Sequence, residues 1–283
     1  MYRKKAFTLI ELLVVIAIIG LLLAIVAPAL RLAKERSQFI FCKTNLKSYG
    51  LTMKLYLQEN DDAYPVSYDS MFSVPTATVP LGCQWHDKRT SPANVPQHAG
   101  PLWPYMAKQE ASLCPTFKSF AKAFGAEHVG PPENPGRCPN PIEPQYAYSQ
   151  NHFLGGRVSY PSGTPYGVVK QHEVVDPGGV IEWVEETIWF VPPVNVNRWV
   201  LNDTCFFTRH PDDTVGLGDF IATYHGTSLA RRNAGKGNAV FVDGHVELCD
   251  PYDSITLSSG KVISGGFRLA WPKKGKLSNT KLY

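Results

Sequence analysis

Of the 24 residues from Phe7 to Leu30, 20 are hydrophobic and one, Glu11, is charged. A carboxylate inside a membrane helix costs on the order of 2.5 to 3.5 kcal/mol at the centre and less near the end, so Glu11 calls for a cationic partner. Three more carboxylates, Glu182, Glu185 and Glu186, lie near the ends of strand-like runs, where solvation is expected and calcium binding is the sharper alternative. His172-Glu173-Val174-Val175-Asp176 has half the spacing of a zinc-protease helix. Asp176 replaces the second histidine, however, and nearby glycines and prolines oppose a helix. The chain has no G-x-S-x-G elbow, P-loop or dinucleotide fingerprint, and its eight histidines are scattered. Six cysteines, Cys42, Cys83, Cys114, Cys138, Cys205 and Cys249, permit 15 full pairings, among which sequence does not choose. None forms a C-x-x-C unit, so no metal site is expected, nor any cofactor or enzymatic activity.

The elements that carry these residues differ sharply along the 283-residue chain. Overall it is 44% hydrophobic and only 18% charged, against about 25% charged in an ordinary domain. Much of the apolar content sits at the start. Leu12 to Leu30 gives 19 residues, close to the roughly 20 that a membrane-crossing helix needs. Before it stands the basic leader Met1-Tyr2-Arg3-Lys4-Lys5-Ala6, of the kind retained in the cytoplasm. Arg31, Lys34 and Arg36 follow the span, so a leader-in orientation rests on the large C-terminal body, which translocates largely regardless of charge. Ala27-Pro28-Ala29 also offers a signal-peptidase site, which would free an exported protein beginning at Leu30. The net charge of +4 is mild and its cations are dispersed, so no nucleic-acid partner is expected.

Beyond Leu30 a stripe of Phe39, Cys42, Leu46, Tyr49, Met53 and Tyr56 has helical spacing, with Lys43, Lys47, Lys54 and Gln58 on other faces. Asn60-Asp61-Asp62 with Pro65 forms a stop. A helix from Phe7 to about Glu59 would be roughly 80 Å long. Gly20 and Pro28 interrupt its apolar half at about 1 and 3 kcal/mol of lost helix propensity, and Pro28 removes the bond to Ala24. Of the 23 prolines, 20 lie between Pro65 and Pro211, which predicts short strands and loops there. The runs 179–184, 187–191, 198–201 and 205–208 read as strands. Residues 239–248 read as a hairpin around Asp243-Gly244, with a type I′ turn. The six tryptophans could form a glycan surface, although core packing is the simpler reading.

The stretch Lys4-Lys5-Ala6-Phe7-Thr8-Leu9-Ile10-Glu11-Leu12-Leu13 resembles the processing motif of type IV pilins and type II secretion pseudopilins, and the likeness continues to Leu22. The resemblance implies cleavage by a prepilin peptidase between Ala6 and Phe7, N-methylation of Phe7, and an assembly role for Glu11. The family usually has Gly before the cut. Ala6 is the next smallest residue, so processing is still expected. Glu11 would then pair with the new amine of a neighbouring subunit, setting register more than affinity. Loss of Arg3, Lys4 and Lys5 would leave a charge of +1. The family commonly has a proline at the place of Pro28, where the resemblance implies local unwinding in a filament; a tolerated kink is the other reading.

Residues 42–47 through 61–65 resemble a pseudopilin-like family whose members carry a C-terminal H-x9-DG segment. Residues 102–115 and the 239–248 hairpin resemble it too. The resemblance places a histidine nine residues before Asp243-Gly244; His225 is the nearest candidate, but 17 residues intervene, an apparent insertion of eight. A packing role is expected for this segment.

The expected fold is α+β and pilin-like, a long N-terminal α-helix packed on an antiparallel β-sheet with a large loop-rich body. Its parts are a leader at 1–6, a transmembrane or filament-core helix at 7–30, an amphipathic continuation at 31–62 and an exported body at 63–283. The expected function is structural, as a subunit of a type II secretion-like or type IV pilus-like filament. Its partners would be a prepilin peptidase, other pilin or pseudopilin subunits, the assembly platform and the bacterial inner membrane. The body would be extracytoplasmic and the N-terminus cytoplasmic. A membrane-anchored binding module, for carbohydrate as an example, is the alternative; an exported hydrolase freed at Ala29 is a third.

Overall fold

The computed structural model describes residues 8–73, 91–106, 109–124, 143–155, 167–188, 204–208, 219–256, 262–264 and 269–272. Ala6 and Phe7, Cys83 and Cys138, and the strand-like residues 189–191 and 198–201 lie outside them. One helix dominates. α1 runs unbroken from Leu9 to Glu59, 51 residues and about 77 Å, through both Gly20 and Pro28. It stops where Asn60-Asp61-Asp62 was read as a terminator: Asp61 and Asp62 turn left-handed, at φ 52° and 62°. The Asp62 N–H reaches back to the Leu57 carbonyl at 3.0 Å.

α1 has two unlike halves. Every residue from Leu9 to Ser37 is exposed. Beyond it Cys42, Leu46, Tyr49, Met53 and Leu57 are buried, while the predicted stripe members Phe39 and Tyr56 are only partly covered. Gly50 is buried as well, because a Cβ there would stand 2.9 Å from Val240 Cγ2, so helix and sheet meet at backbone distance.

The sheet that α1 lies on has five strands: β1 (Tyr148–Asn151), β2 (Ile181–Glu185), β3 (Cys205–Phe206), β4 (Gly237–Phe241) and β5 (Val246–Cys249). Their order is β3-β1-β2-β4-β5. All neighbours are antiparallel except β3, which runs parallel to β1. β6 (Ser254–Thr256) and β7 (Val262–Ser264) make a separate antiparallel pair. The chain is thus α+β, a long N-terminal helix on a mostly antiparallel open sheet. On the α1 face Tyr49 packs edge-on to Trp183, with ring centroids 4.8 Å apart, inside a core that includes Tyr148, Tyr224 and Val240. The other face is closed by Phe153, Ile181, Val184, Phe241 and Trp271. Among the described tryptophans, Trp183 and Trp271 are buried and Trp103 packs against the core, while Trp85, Trp189 and Trp199 lie outside the described residues.

Two sequence expectations need correction. A 10-residue helix, α2 (Pro115–Phe124), stands in the proline-rich region read as strands and loops. Pro115 opens it, at the position where the missing N–H costs nothing, and Phe117, Phe120 and Ala121 bury one face. The Asp-Gly hairpin is not type I′ either. Of its two turn residues only Gly244 has positive φ, 91°. Phe241 accepts from the Gly244 N–H at 2.7 Å and donates to the His245 carbonyl at 2.9 Å, the pattern of a three-residue loop with a bulge at glycine. Asp243 drives this choice: its carboxylate accepts from the His245 N–H at 2.9 Å and holds the turn from within.

Candidate functional site

Glu11 does not wait unpaired for a neighbour. Thr8 precedes the first helical residue, and its N–H and hydroxyl donate to Glu11 Oε2 at 2.9 and 2.8 Å. The Glu11 N–H donates to Thr8 Oγ1 at 3.2 Å in return. This reciprocal capping box satisfies donors that every helix start leaves open. Its T-x-x-E spacing was readable in the sequence. Gly20 and Pro28 lie further along the same bare half, each exposed.

The other residues singled out from sequence lie at opposite ends of β4. At one end Asp243 and Gly244 form the β4–β5 turn, and α1 seats it: Lys54 Nζ donates to the Asp243 carbonyl at 2.7 Å and Lys47 Nζ to that of Gly244 at 2.5 Å. These lysines are seven residues apart, two helical turns, and so share a face. A Cβ on Gly244 would meet Lys54 Nζ at 2.7 Å. Asp243 is held below the usual carboxylate range: partial burial works against its ionised form, but bonds from the His245 backbone and ring outweigh that.

At the other end His225 bridges Lys236 just before β4. The ten residues between form a loop around the 3-10 stretch Leu229–Ala234. His225 and Asp243-Gly244 therefore make no joint site. His225 instead joins residues that sequence reasoning left apart. Its Nε2 lies 2.8 Å from Glu185 Oε2 and 3.7 Å from Cys114 Sγ, and Cys114 is disulfide-bonded to Cys42. All four are buried. The disulfide links α1 to the residue preceding α2, Glu185 ends β2, and Phe39 of α1 closes edge-on over the His225 ring at 5.4 Å.

Glu182, Glu185 and Glu186 are not solvated but fully buried, a third correction of the sequence reading. β2 is a central strand covered on both faces. Glu185 is satisfied by His225 and by the Asn238 N–H and side-chain amide at 2.7 and 3.1 Å, and Glu186 accepts from Ser149 Oγ at 2.7 Å. Glu182 is different. It is the extra residue of a bulge, since Ile181 pairs Phe241 and Trp183 pairs the next residue, Val240. Neither of its oxygens has a hydrogen-bond partner among the described residues, and burial pushes its carboxyl well above the usual range, with Lys54 pulling the other way.

His172 sits in a single 3-10 turn, Gln171–Glu173, and not on a helix of zinc-protease type. Its Nδ1 lies 2.7 Å from Asp62 Oδ2. Asp62 is held below the usual carboxylate range: partial burial works against its ionised form, but bonds from the His172 ring and backbone outweigh that. The pair borders an open cleft of about 770 Å³ that Lys54, Gln58 and Gln171 also line.

Residues 1–27 match the family model described as the prokaryotic N-terminal methylation motif. A 59-residue stretch, 21% of this chain, is 44% identical to the type IV major pilin protein PilA of Myxococcus xanthus (strain DK1622), and spans 27% of that pilin's length. No solved structure matches the chain. The N-terminal part of this chain is therefore pilin-like, a prepilin-type methylation motif borne on one long apolar helix.

Proposed function

We propose that the chain is a structural pilin- or pseudopilin-like subunit. A prepilin peptidase cuts between Ala6 and Phe7 and methylates the new Phe7 amine. The apolar half of α1 first anchors the subunit in the inner membrane, with the body outside the cytoplasm. It then packs among the same helices of other subunits in a type II secretion-like or type IV pilus-like filament. The observation that carries this reading is the bare stretch from Leu9 to Ser37, about 44 Å of helix that the body leaves uncovered. Apolar surface on that scale requires lipid or other helices. The role in this reading is structural.

Mass spectrometry of the native N-terminus tests the processing step. Methylated Phe7 is the expected first residue; a chain beginning at Leu30 overturns the reading. Recovery of the chain in sheared filament fractions is expected too, and its retention solely in the membrane would instead favour an anchored binding module.

A further inference from the structure

We propose that Cys42, Cys114, Glu185 and His225 form a tetrahedral Zn2+ site in the reduced chain, with the Cys42–Cys114 disulfide as its oxidised alternative. The four side chains come from distant parts of the sequence, yet their ligand atoms all lie within 4.8 Å of one another, and all four residues are buried. Around zinc, ligand atoms at about 2.0 to 2.3 Å from the metal stand roughly 3.3 to 3.8 Å apart. His225 Nε2 already lies 3.7 Å from Cys114 Sγ and 3.0 Å from Glu185 Oε1. The donor set of two thiolates, one imidazole and one carboxylate suits zinc better than calcium or magnesium, which favour all-oxygen shells.

The surroundings orient these donors. Asn238 holds Glu185 Oε2 with two hydrogen bonds, and Oε1, 3.0 Å from His225 Nε2, faces the proposed site. The Phe117 N–H, in the first turn of α2, donates to Cys114 Sγ at 3.5 Å. Thr116 Oγ1 lies 3.8 Å from Cys42 Sγ. Donors aimed at sulfur at a helix start favour the thiolate, and such supporting bonds commonly set metal affinity.

The chemistry balances as follows. A dithiol reductant gives two electrons and two protons to the Cys42–Cys114 bond, which becomes two thiols while the reductant becomes a disulfide. Zn2+ then binds both sulfurs and releases the two thiol protons. His225 donates the Nε2 lone pair with its ring proton on Nδ1, and Glu185 donates an ionised oxygen. An oxidising disulfide accepts two electrons from the two thiolates and, with two protons from solvent, becomes a dithiol; this re-forms the S–S bond and expels the ion, so disulfide and metal exclude each other. Either one ties α1 to α2; only the metal also ties in β2 and the approach to β4. In an oxidising compartment the disulfide prevails, and before export the metal does.

The full chain in detergent micelles serves for the test, in oxidised form and after anaerobic dithiol reduction and desalting. Each form is loaded with Zn2+ or Co2+ and passed through gel filtration. The reduced chain is expected to retain one metal per chain, with a thiolate-to-cobalt charge-transfer band, and the oxidised chain none. His225→Gln and Glu185→Gln should each weaken retention at least tenfold, whereas a variant with Ser at 83, 138, 205 and 249 should bind as wild type does. Failure of the reduced wild-type chain to retain metal overturns the site, as does undiminished binding by His225→Gln. Loss of binding in the four-serine variant places the metal elsewhere and overturns it as well.

Discussion

The two halves of α1 obey opposite rules although they are one continuous helix. From Leu9 to Ser37 all residues are exposed and Glu11 is occupied with its own N-cap. From Cys42 to Leu57 the same helix carries a disulfide, a glycine at backbone distance from β4 and two lysines seated on a turn. The second half buries its own stripe within the monomer. The first has satisfied its polar groups but not its apolar surface, so whatever completes it must come from outside the chain.

The largest expected effect concerns Glu11, where two readings of one carboxylate separate cleanly. Glu11→Ala removes both the capping bonds and the charge; Glu11→Gln keeps a capping-box residue but no charge. Thr8→Ala removes the cap and keeps the charge. If the carboxylate pairs with a neighbour's N-terminal amine, both Glu11 variants should fall out of sheared filaments at least tenfold while Thr8→Ala assembles. Normal assembly of Glu11→Gln would reduce Glu11 to a cap and erase the functional distinction between the halves.

The next effect belongs to the packed half. Cys42 and Cys114 are separated by 72 positions, and closing a loop of that length stabilises a domain by about 4 kcal/mol. Reduction in metal-free buffer should lower the unfolding free energy of the body by that order, read from urea midpoints. Membrane insertion of the bare half should be unaffected. If reduction also released the chain from membranes, the halves would be coupled rather than independent.

A smaller effect comes from pH. Burial lowers the His152 ring to about 3, so it stays neutral when folded. The unfolded chain binds its proton near 6.5, so the stability His152 contributes is complete above that value and is lost as pH falls toward 3. Between pH 7 and pH 5 the loss is about 2 kcal/mol. Glu182 runs the other way. Its folded carboxyl holds the proton above the usual range, so its contribution is complete below about 4.5 and is lost as pH rises through that raised value. His152→Phe should flatten the acid side of the profile, and Glu182→Gln should gain more stability over wild type at pH 8 than at pH 5. Urea titrations at the three pH values decide both, and a profile unchanged by either variant would show that other groups govern it.

Legibility followed the range of the interactions. The buried stripe at 42, 46, 49 and 53 and the helix stop at Asn60 depend on residues a few positions apart, and the spacing of residue types exposed them. β1 escaped because Tyr148-Ser149-Gln150-Asn151 has no apolar alternation, being buried on both faces with its polar groups paired inside. The glutamates of β2 were misplaced for the same reason: burial of a carboxylate depends on which partners the fold supplies, here His225, Asn238 and Ser149, up to 53 positions away. The cluster at His225 was hidden by the separation of its four members, whereas the helix start after Cys114 was available from Cys-Pro at the head of an amphipathic run.

The smallest expected effect tests how the packed half holds the sheet. Gly244 has φ 91°, and a Cβ would approach Lys54 Nζ to 2.7 Å. Gly244→Ala therefore costs backbone strain of about 1 to 2 kcal/mol and displaces a flexible side-chain end, which is cheap to move. Lys54→Ala in the same background should recover none of the strain, because the strain belongs to the backbone. If the double variant instead regained wild-type stability, the close approach of lysine would be the cost and the left-handed turn would not.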